Sequence, residues 1–328
     1  MSILRSCLVG VAVAGLTATS ALAVSLDTVI SLKTTHDQSK TYIELFHKPF
    51  NKNNKVGINL NFKGGPEVIP NRKQGAALKR GVIKFHFGPS GYYSGAVPCA
   101  RVAALSNVGQ ATIRKNGAME VFQKCFGKGL NARIIAHPFD GSSNFHIYLT
   151  NPPKTSTKTG LDLSGMTMRS TALYNPFMKA MGARPQNISP GDVYTSLERG
   201  VVKGLAWPEG GIMRYGWTKY IKYRVGPGFW RSSSMVVINL DAYNAMNKKQ
   251  RDAIDKAGEA FEPASQKYMR VLADKDNAAV KADGVKFIDL TGDEGKALTA
   301  TVYGKSWDYA KSKMDPENYA QLRKLLLK

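Results

Sequence analysis

The sequence predicts an α/β protein made of two doubly wound domains with a small-molecule cleft between them. Three observations carry this. Setting aside an N-terminal leader, about 300 of the 328 residues remain, more than one domain usually takes. A β-α-β order appears near the start of the chain and again after residue 161. In the second series, two apolar runs stop abruptly at loops, one at Arg169 and the other at Trp207. In open α/β sheets, ligands lie beyond the carboxyl ends of strands. The 161–211 segment therefore reads as one wall of the cleft, with a cation and an indole facing in.

The leader comes first. Arg5 supplies a positive start, residues 7–16 an apolar core, and Ala21-Leu22-Ala23 a small-residue cleavage site. The run is too short for a membrane span. Cys7 stands at the beginning of the apolar core, not at its end, so it is poorly placed as a lipid anchor. A mature chain beginning near Val24 is expected, with no later membrane span and no stable membrane insertion.

Residues 24–33 read as a buried strand. Thr34-Thr35-His36-Asp37 then opens a helix to about Phe50. Residues 56–62 alternate like a strand, and Gly64-Gly65-Pro66 is a loop. Asn71 is positioned to cap a helix that ends at Gly81. Residues 82–87 form the next strand, followed by a loop from Gly88 and Pro89 to Tyr92 and Tyr93. Residues 110–126 have helical spacing, and 132–139 and 144–150 read as strands. Residues 151–155 form a Pro-rich loop near the expected crossing between domains. In the second domain, Ser189 is expected to cap a helix with Pro190 at its first position and Asp192 completing a box-like pair. Gly200 closes that helix. Residues 235–239 form a further strand. Residues 241–282 are mostly helical, and Pro263 is expected to kink or break them.

The net charge of +22 falls to +21 once Arg5 leaves with the leader. Lys and Arg are spread along the chain, and no nucleic-acid recognition motif appears. A basic surface steers anionic solutes and anionic membrane surfaces toward the protein. Enzyme signatures are missing: there is no Gly-x-Ser-x-Gly and no His-Glu-x-x-His. Cys99 and Cys125 lack zinc-ligand spacing. In an exported compartment they could pair, or they could be two buried thiols.

Arg169 is the best candidate for anion recognition, because a guanidinium grips a carboxylate through two parallel hydrogen bonds. A surface arginine is the plain alternative. Trp207 offers a flat apolar wall and one donor, although a lone Trp is more often core. His146 lies within an apolar strand, where histidine is usually structural. His36 stands at a helix start and could face solvent. The Gly88–Tyr93 loop lacks the Lys and Gly spacing of a P-loop.

With these motifs placed, the chain resembles the solute-binding proteins of tripartite ATP-independent periplasmic (TRAP) transporters, of the dicarboxylate-binding-protein type. The match covers nearly all of the mature chain. It rests on Gly165-Met-Thr-Met-Arg169, Gly182-Ala-Arg-Pro185, Asp192-Val-Tyr-Thr-Ser-Leu197 and Gly200-Val-Val-Lys-Gly204. The N-terminal half adds Gly64-Gly-Pro-Glu-Val-Ile-Pro70, Gln74-Gly-Ala-Ala-Leu78, Gly81-Val-Ile-Lys-Phe85 and Gly91-Tyr-Tyr93. The resemblance implies a two-lobe periplasmic binding protein fold with hinge strands and a long inter-lobe helix. It implies residues 1–23 as signal peptide, 24–145 plus 233–272 as lobe I, and 146–232 plus 273–328 as lobe II.

By resemblance, Arg169 clamps the solute carboxylate and Trp207 is a contact residue. His146 falls where several members carry a second arginine. Thr35, His36, Gly88, Pro89 and Tyr92 fall in loops lining the other lobe. Lys84 and Lys203 stand where acidic residues are usual. With His146 in place of an arginine, a monocarboxylate is expected over a large diacid or sugar acid. The aromatics Phe87, Tyr92, Tyr93, Phe145, Tyr148, Tyr174 and Trp207 suit an aromatic, 2-oxo or 2-hydroxy acid, and a sulfonate would also fit Arg169. The function implied is periplasmic capture of an organic acid for a membrane permease, with no catalysis, cofactor or metal. The alternatives are a sensor presenting its ligand to a receptor, and an exported hydrolase or lyase.

Overall fold

A computed structural model of the protein describes residues 23–138 and 143–327. The expected leader up to residue 22, and the end of the 132–139 strand, lie outside the described residues. In chain order the strands are β1 (Val24–Ile30), β2 (Ile58–Gly64), β3 (Phe85–Pro89), β4 (Ala132–Ala136), β5 (Asn144–Leu149), β6 (Lys154–Ser156), β7 (Gly160–Asp162), β8 (Thr167–Ser170), β9 (Arg184–Asn187), β10 (Gly204–Pro208), β11 (Tyr223–Arg231), β12 (Ser234–Asn239) and β13 (Lys286–Asp289).

Two sheets define two lobes. The first has order β2-β1-β3-β12-β4 and the second β13-β11-β5-β10-β8-β9; β6 and β7 form a separate hairpin. β1 pairs parallel with both β2 and β3. Its Val29 enters one core and its Leu26 and Ile30 the other, so it is covered on both faces, which is why its sequence reads as an apolar run. One face packs Ile30, Phe85, Phe87 and Val236 against Phe46 and Phe261. In the second lobe, Tyr148, Leu205 and Trp207 pack with Trp217 and Val280.

The lobes are joined where β4 leads to β5 and where β11 leads to β12. The crossing thus precedes Asn144, and residues 151–155 lie inside the second lobe. Gln38 fastens to the β11–β12 crossing, donating to Ser232 Oγ at 3.0 Å and accepting from Ser234 Oγ at 3.1 Å. A 35-residue helix, Lys248–Ala282, serves both lobes: Phe261 and Met269 enter the first core and Val280 the second-lobe cluster.

That helix runs through Pro263 without a break. Pro263 and Glu259 are both exposed, so the carbonyl that loses its amide partner can turn to water. Three other local differences have visible causes. The 110–126 helix divides into Gln110–Lys115 and Ala118–Leu130, because Gly117 between them adopts φ of +94°. Neither Asn71 nor Ser189 makes a capping hydrogen bond; Asn71 is the first helical residue, after Pro70. The Pro316–Leu326 helix returns to the first lobe, where Asn107 N and Asn116 Nδ2 donate to Leu326 and Leu325 carbonyls. The expected 273–328 segment of lobe II therefore ends against lobe I. Cys99 and Cys125 form a disulfide that ties the region before the Gln110–Lys115 helix to the Ala118–Leu130 helix. Among the described residues, no helix is long and apolar enough to cross a membrane.

Candidate functional site

The carboxyl ends of β8 and β10 bring Arg169 and Trp207 together. Register places Arg169 beside Leu205 and Trp207 beside His146. Side chains two apart on a strand share a face, so all four look the same way. Arg169 is 1% exposed. Its guanidinium lies over the Trp207 ring at 5.2 Å from the centroid. Its Nε donates to the Ile188 carbonyl at 2.9 Å. These two contacts fix the plane of the fork. The buried Nη1 has no hydrogen-bond partner. A buried cation without a counter-charge is costly, and its terminal edge is oriented for an anion.

Two tyrosines face the same group. Burial raises the pKa of the Tyr92 and Tyr174 hydroxyls, against the opposing pull of the Arg169 charge. Both hydroxyls therefore stay protonated and can donate. Tyr92 comes from the first lobe and Tyr174 from the second. A cavity of about 170 Å³ lies between the lobes here, bordered by Asn71, Arg72 and Tyr92 on one side and Arg169, Thr171 and Asn187 on the other. A second hollow of about 370 Å³ adjoins it, sharing Asn71, Ser189 and Pro190 and reaching Lys33 and Tyr215.

His36 is buried beside Trp207 and Tyr215 and lines neither hollow. Its Nδ1 accepts from the Gln38 amide at 3.2 Å, capping the Asp37–Tyr42 helix. Burial, then the Arg214 charge, lowers its pKa to about 3. The imidazole is thus neutral, with its proton on Nε2, which has no partner. The ring packs edge-on to Trp207 at 6.0 Å and lies 5.9 Å from Tyr215. Gly211 permits this approach: a Cβ there would come within 2.8 Å of His36 Nε2, and its φ of +88° suits glycine. Alongside, Asp37 accepts from Arg214 Nε at 2.6 Å across the lobes. Asp276 of the long helix receives the Gly211 and Ile212 amides. Burial, then Asp37, raises its pKa to about 6.

The other expected positions are placed as follows. Thr35 is exposed beside His36. Gly88 is pressed against Ser31, where a Cβ would sit 2.3 Å from Oγ. Pro89 ends β3, paired with Ser234. His146 points at Glu209, with Nε2 to Oε1 at 3.2 Å. Glu209 also meets Arg270 at 3.3 Å, Arg224 at 3.7 Å and the Asn144 amide at 3.2 Å. Burial works to raise the Glu209 pKa, but His146, then the Asn144 amide and Arg270, hold it at about 2. Phe87 stacks on Tyr42, Tyr93 bonds to His86, and Tyr148 lies in the second core. Lys84 and Lys203 are exposed. Arg72, Asn187 and Tyr215 border the cleft without having been singled out in the sequence. Arg72 lies at a helix start, Asn187 ends β9 and Tyr215 ends a short turn, and none carries a motif of its own. Among the described residues, no group of three or more His, Cys, Asp or Glu could hold a metal ion.

A two-lobed α/β protein with an inward guanidinium at a strand end has relatives of known kind. The family model for DctP, bacterial extracellular solute-binding protein family 7, matches residues 31–311. The chain belongs to this family. A monocarboxylate 2-oxoacid-binding periplasmic protein of Nostoc sp. is 25% identical over 195 residues, 57% of this chain and 52% of the relative. The chain thus matches about half the length of that curated relative. Solved structures share the fold. A TRAP periplasmic solute-binding protein from Desulfovibrio salexigens, with bound orotic acid, has a TM-score of 0.79 at 15% identity, covering 92% of this chain and 97% of that one. A Bordetella pertussis extracytoplasmic solute receptor binding pyroglutamic acid also scores 0.79, at 14% identity over 93% and 99%. The family assignment agrees with the resemblance drawn from Gly165–Arg169 and the motifs around it.

Proposed function

We propose that this family 7 protein captures an organic acid anion in the periplasm and passes it, unchanged, to a TRAP membrane permease. The observation that carries the reading is Arg169: buried, steered by Ile188 and Trp207, in reach of the Tyr92 and Tyr174 hydroxyls, with its Nη1 unpaired at an inter-lobe cavity. A carboxylate seated there exchanges its water for a planar, charge-assisted pair. The Tyr92 and Tyr174 hydroxyls stand ready for a 2-oxo or 2-hydroxyl oxygen, and Trp207, buried in the second-lobe core, backs the guanidinium. A cavity this small suits a short monocarboxylate or a single-ring acid. The ligands named for the relatives are a monocarboxylate 2-oxoacid, orotic acid and pyroglutamic acid. These support the reading, because each is a carboxylic acid. Since solute touches both lobes, it favours the closed arrangement by its differential affinity.

A thermal-shift panel tests this: pyruvate, 2-oxobutanoate, 2-oxopentanoate, lactate, pyroglutamate, orotate and picolinate. An acid at about 100 times its Kd stabilises by roughly 2.7 kcal/mol, a shift of about 4 °C at this size. The acid must also be recovered intact after incubation. No shift with any member, or conversion of the acid to product, defeats the proposal.

A further inference from the structure

The cavity at Arg169 has a second cation on its opposite wall. Arg72 follows the first residue of the Asn71–Lys79 helix, in the first lobe, and borders the same 170 Å³ space as Arg169 of the second lobe. Arg72 is exposed. Among the described residues its side chain makes no hydrogen bond and no ion pair. No Asp or Glu borders this cavity; its other polar walls are neutral Asn, Ser, Thr and Tyr side chains. Tyr92, on the same cavity, feels the charges of both guanidinium groups. Two like charges facing one small space repel each other. Nothing on the walls neutralises them, so the missing charge must be brought in by the solute.

We propose that Arg72 is the first-lobe half of a two-sided anion clamp, gripping the same carboxylate end of the solute that Arg169 holds from the second lobe. This rests on the organic-acid reading of the site and adds a residue to it. A cavity of about 170 Å³ leaves an anion within reach of both walls. One carboxylate has two oxygens and about four acceptor positions, enough for two guanidinium groups. The roles of the two arginines differ. Arg169 is buried and held in one orientation, so it sets geometry. Arg72 is on the exposed rim, so it attracts the anion and holds it once the lobes approach. Rim charges act on association rate and salt dependence, whereas desolvated pairs act on dissociation. Anion binding and lobe approach are thereby coupled: the empty cleft carries inter-lobe repulsion, and the loaded cleft carries an inter-lobe bridge.

The test is stopped-flow and calorimetric titration of wild type, Arg72→Ala, Arg72→Lys and Arg169→Ala. The probe is the acid from the seven-member panel above that stabilises wild type most. Arg72→Ala is expected to weaken binding about tenfold, slow association and flatten its salt dependence. Arg72→Lys should restore most of the affinity, since an exposed point charge suffices there. Without acid, Arg72→Ala should melt with wild type, because the side chain has no internal partner. The clamp is refuted if Arg72→Ala binds within twofold of wild type with an unchanged on-rate. It is also refuted if Arg72→Lys is as weak as Arg72→Ala. In either case a strong defect in Arg169→Ala would leave the organic-acid reading standing. If no panel acid stabilises wild type, both proposals fall.

Discussion

Removing the Arg169 guanidinium should abolish tight binding while leaving the fold intact. The side chain is 1% exposed, gives Nε to the Ile188 carbonyl at 2.9 Å and stacks 5.2 Å from the Trp207 ring centroid. In the bound state, its outer edge would meet a carboxylate stripped of water. Truncating one partner of a desolvated, hydrogen-bonded charge pair costs about 2–5 kcal/mol in binding. At 1.4 kcal/mol per tenfold, that is roughly 30-fold to several thousand-fold. Arg169→Lys should lose nearly as much. An ammonium cannot satisfy the Ile188 carbonyl and present a planar fork together. The unliganded variant should be only modestly less stable: it loses one charged hydrogen bond and one cation–π contact, about 2–4 kcal/mol together, but it also sheds a buried unpaired charge. The assay is calorimetric titration with the best panel acid, alongside unliganded melting. A folded Arg169→Ala that binds within threefold of wild type would refute the argument and place the carboxylate elsewhere.

Stability should fall steeply with acid. His36 and His86 have folded pKa values of about 3, both lowered first by burial, against 6.5 unfolded. Their contribution is present above pH 6.5 and is lost as pH falls toward 3. Asp276, raised to about 6, acts oppositely, so it offsets one proton between about pH 4 and 6. The net slope there is about 1.4 kcal/mol per pH unit. It should steepen below pH 4, once Glu209 joins with its folded pKa of about 2. Urea unfolding at several pH values checks this; a flat profile down to pH 4 would contradict it. Arg214→Ala should strip Asp37 of its inter-lobe partner at 2.6 Å. Faster solute release, by about tenfold, and a larger radius of gyration with acid present are expected by stopped flow and small-angle scattering; unchanged release would show that the pair does not hold the lobes. Reducing Cys99–Cys125, separated by 26 residues, should cost about 3.5 kcal/mol by loop entropy. A melting curve unmoved by reductant that has demonstrably freed both thiols would contradict that.

Most of the first lobe was legible because its strands are apolar runs bounded by loop residues. β1 starts at Val24 as expected and ends a few residues early, and β2 is offset by a few residues, as fraying ends allow. β11 was not legible: Gly226-Pro227-Gly228 interrupts its apolar pattern, although the strand runs from Tyr223 to Arg231. β9 reads Arg-Pro-Gln-Asn and lies at a sheet edge, so it carries almost no apolar signal. Pro263 misled, because whether a proline breaks a helix depends on where the orphaned carbonyl points. Ser189 misled because capping chemistry was present but the local bond was not made. At the site, Arg169 and Trp207 could be found from strand ends and family motifs. Arg72 and Tyr215 could not, since only tertiary folding brings them to the cleft. The histidine at 146 shows the converse: its position was legible, but its engagement by Glu209 and the arginines behind it required the structure.

The most direct measurement is a crystal structure of the wild-type protein with the panel acid that gives the largest thermal shift. The account predicts closed lobes, with the solute carboxylate within hydrogen-bonding distance of the Arg169 Nη atoms, in the cavity bordered by Tyr92 and Arg72. Closed lobes with the carboxylate turned away from Arg169, or the acid bound outside the cleft between the two sheets, would contradict it.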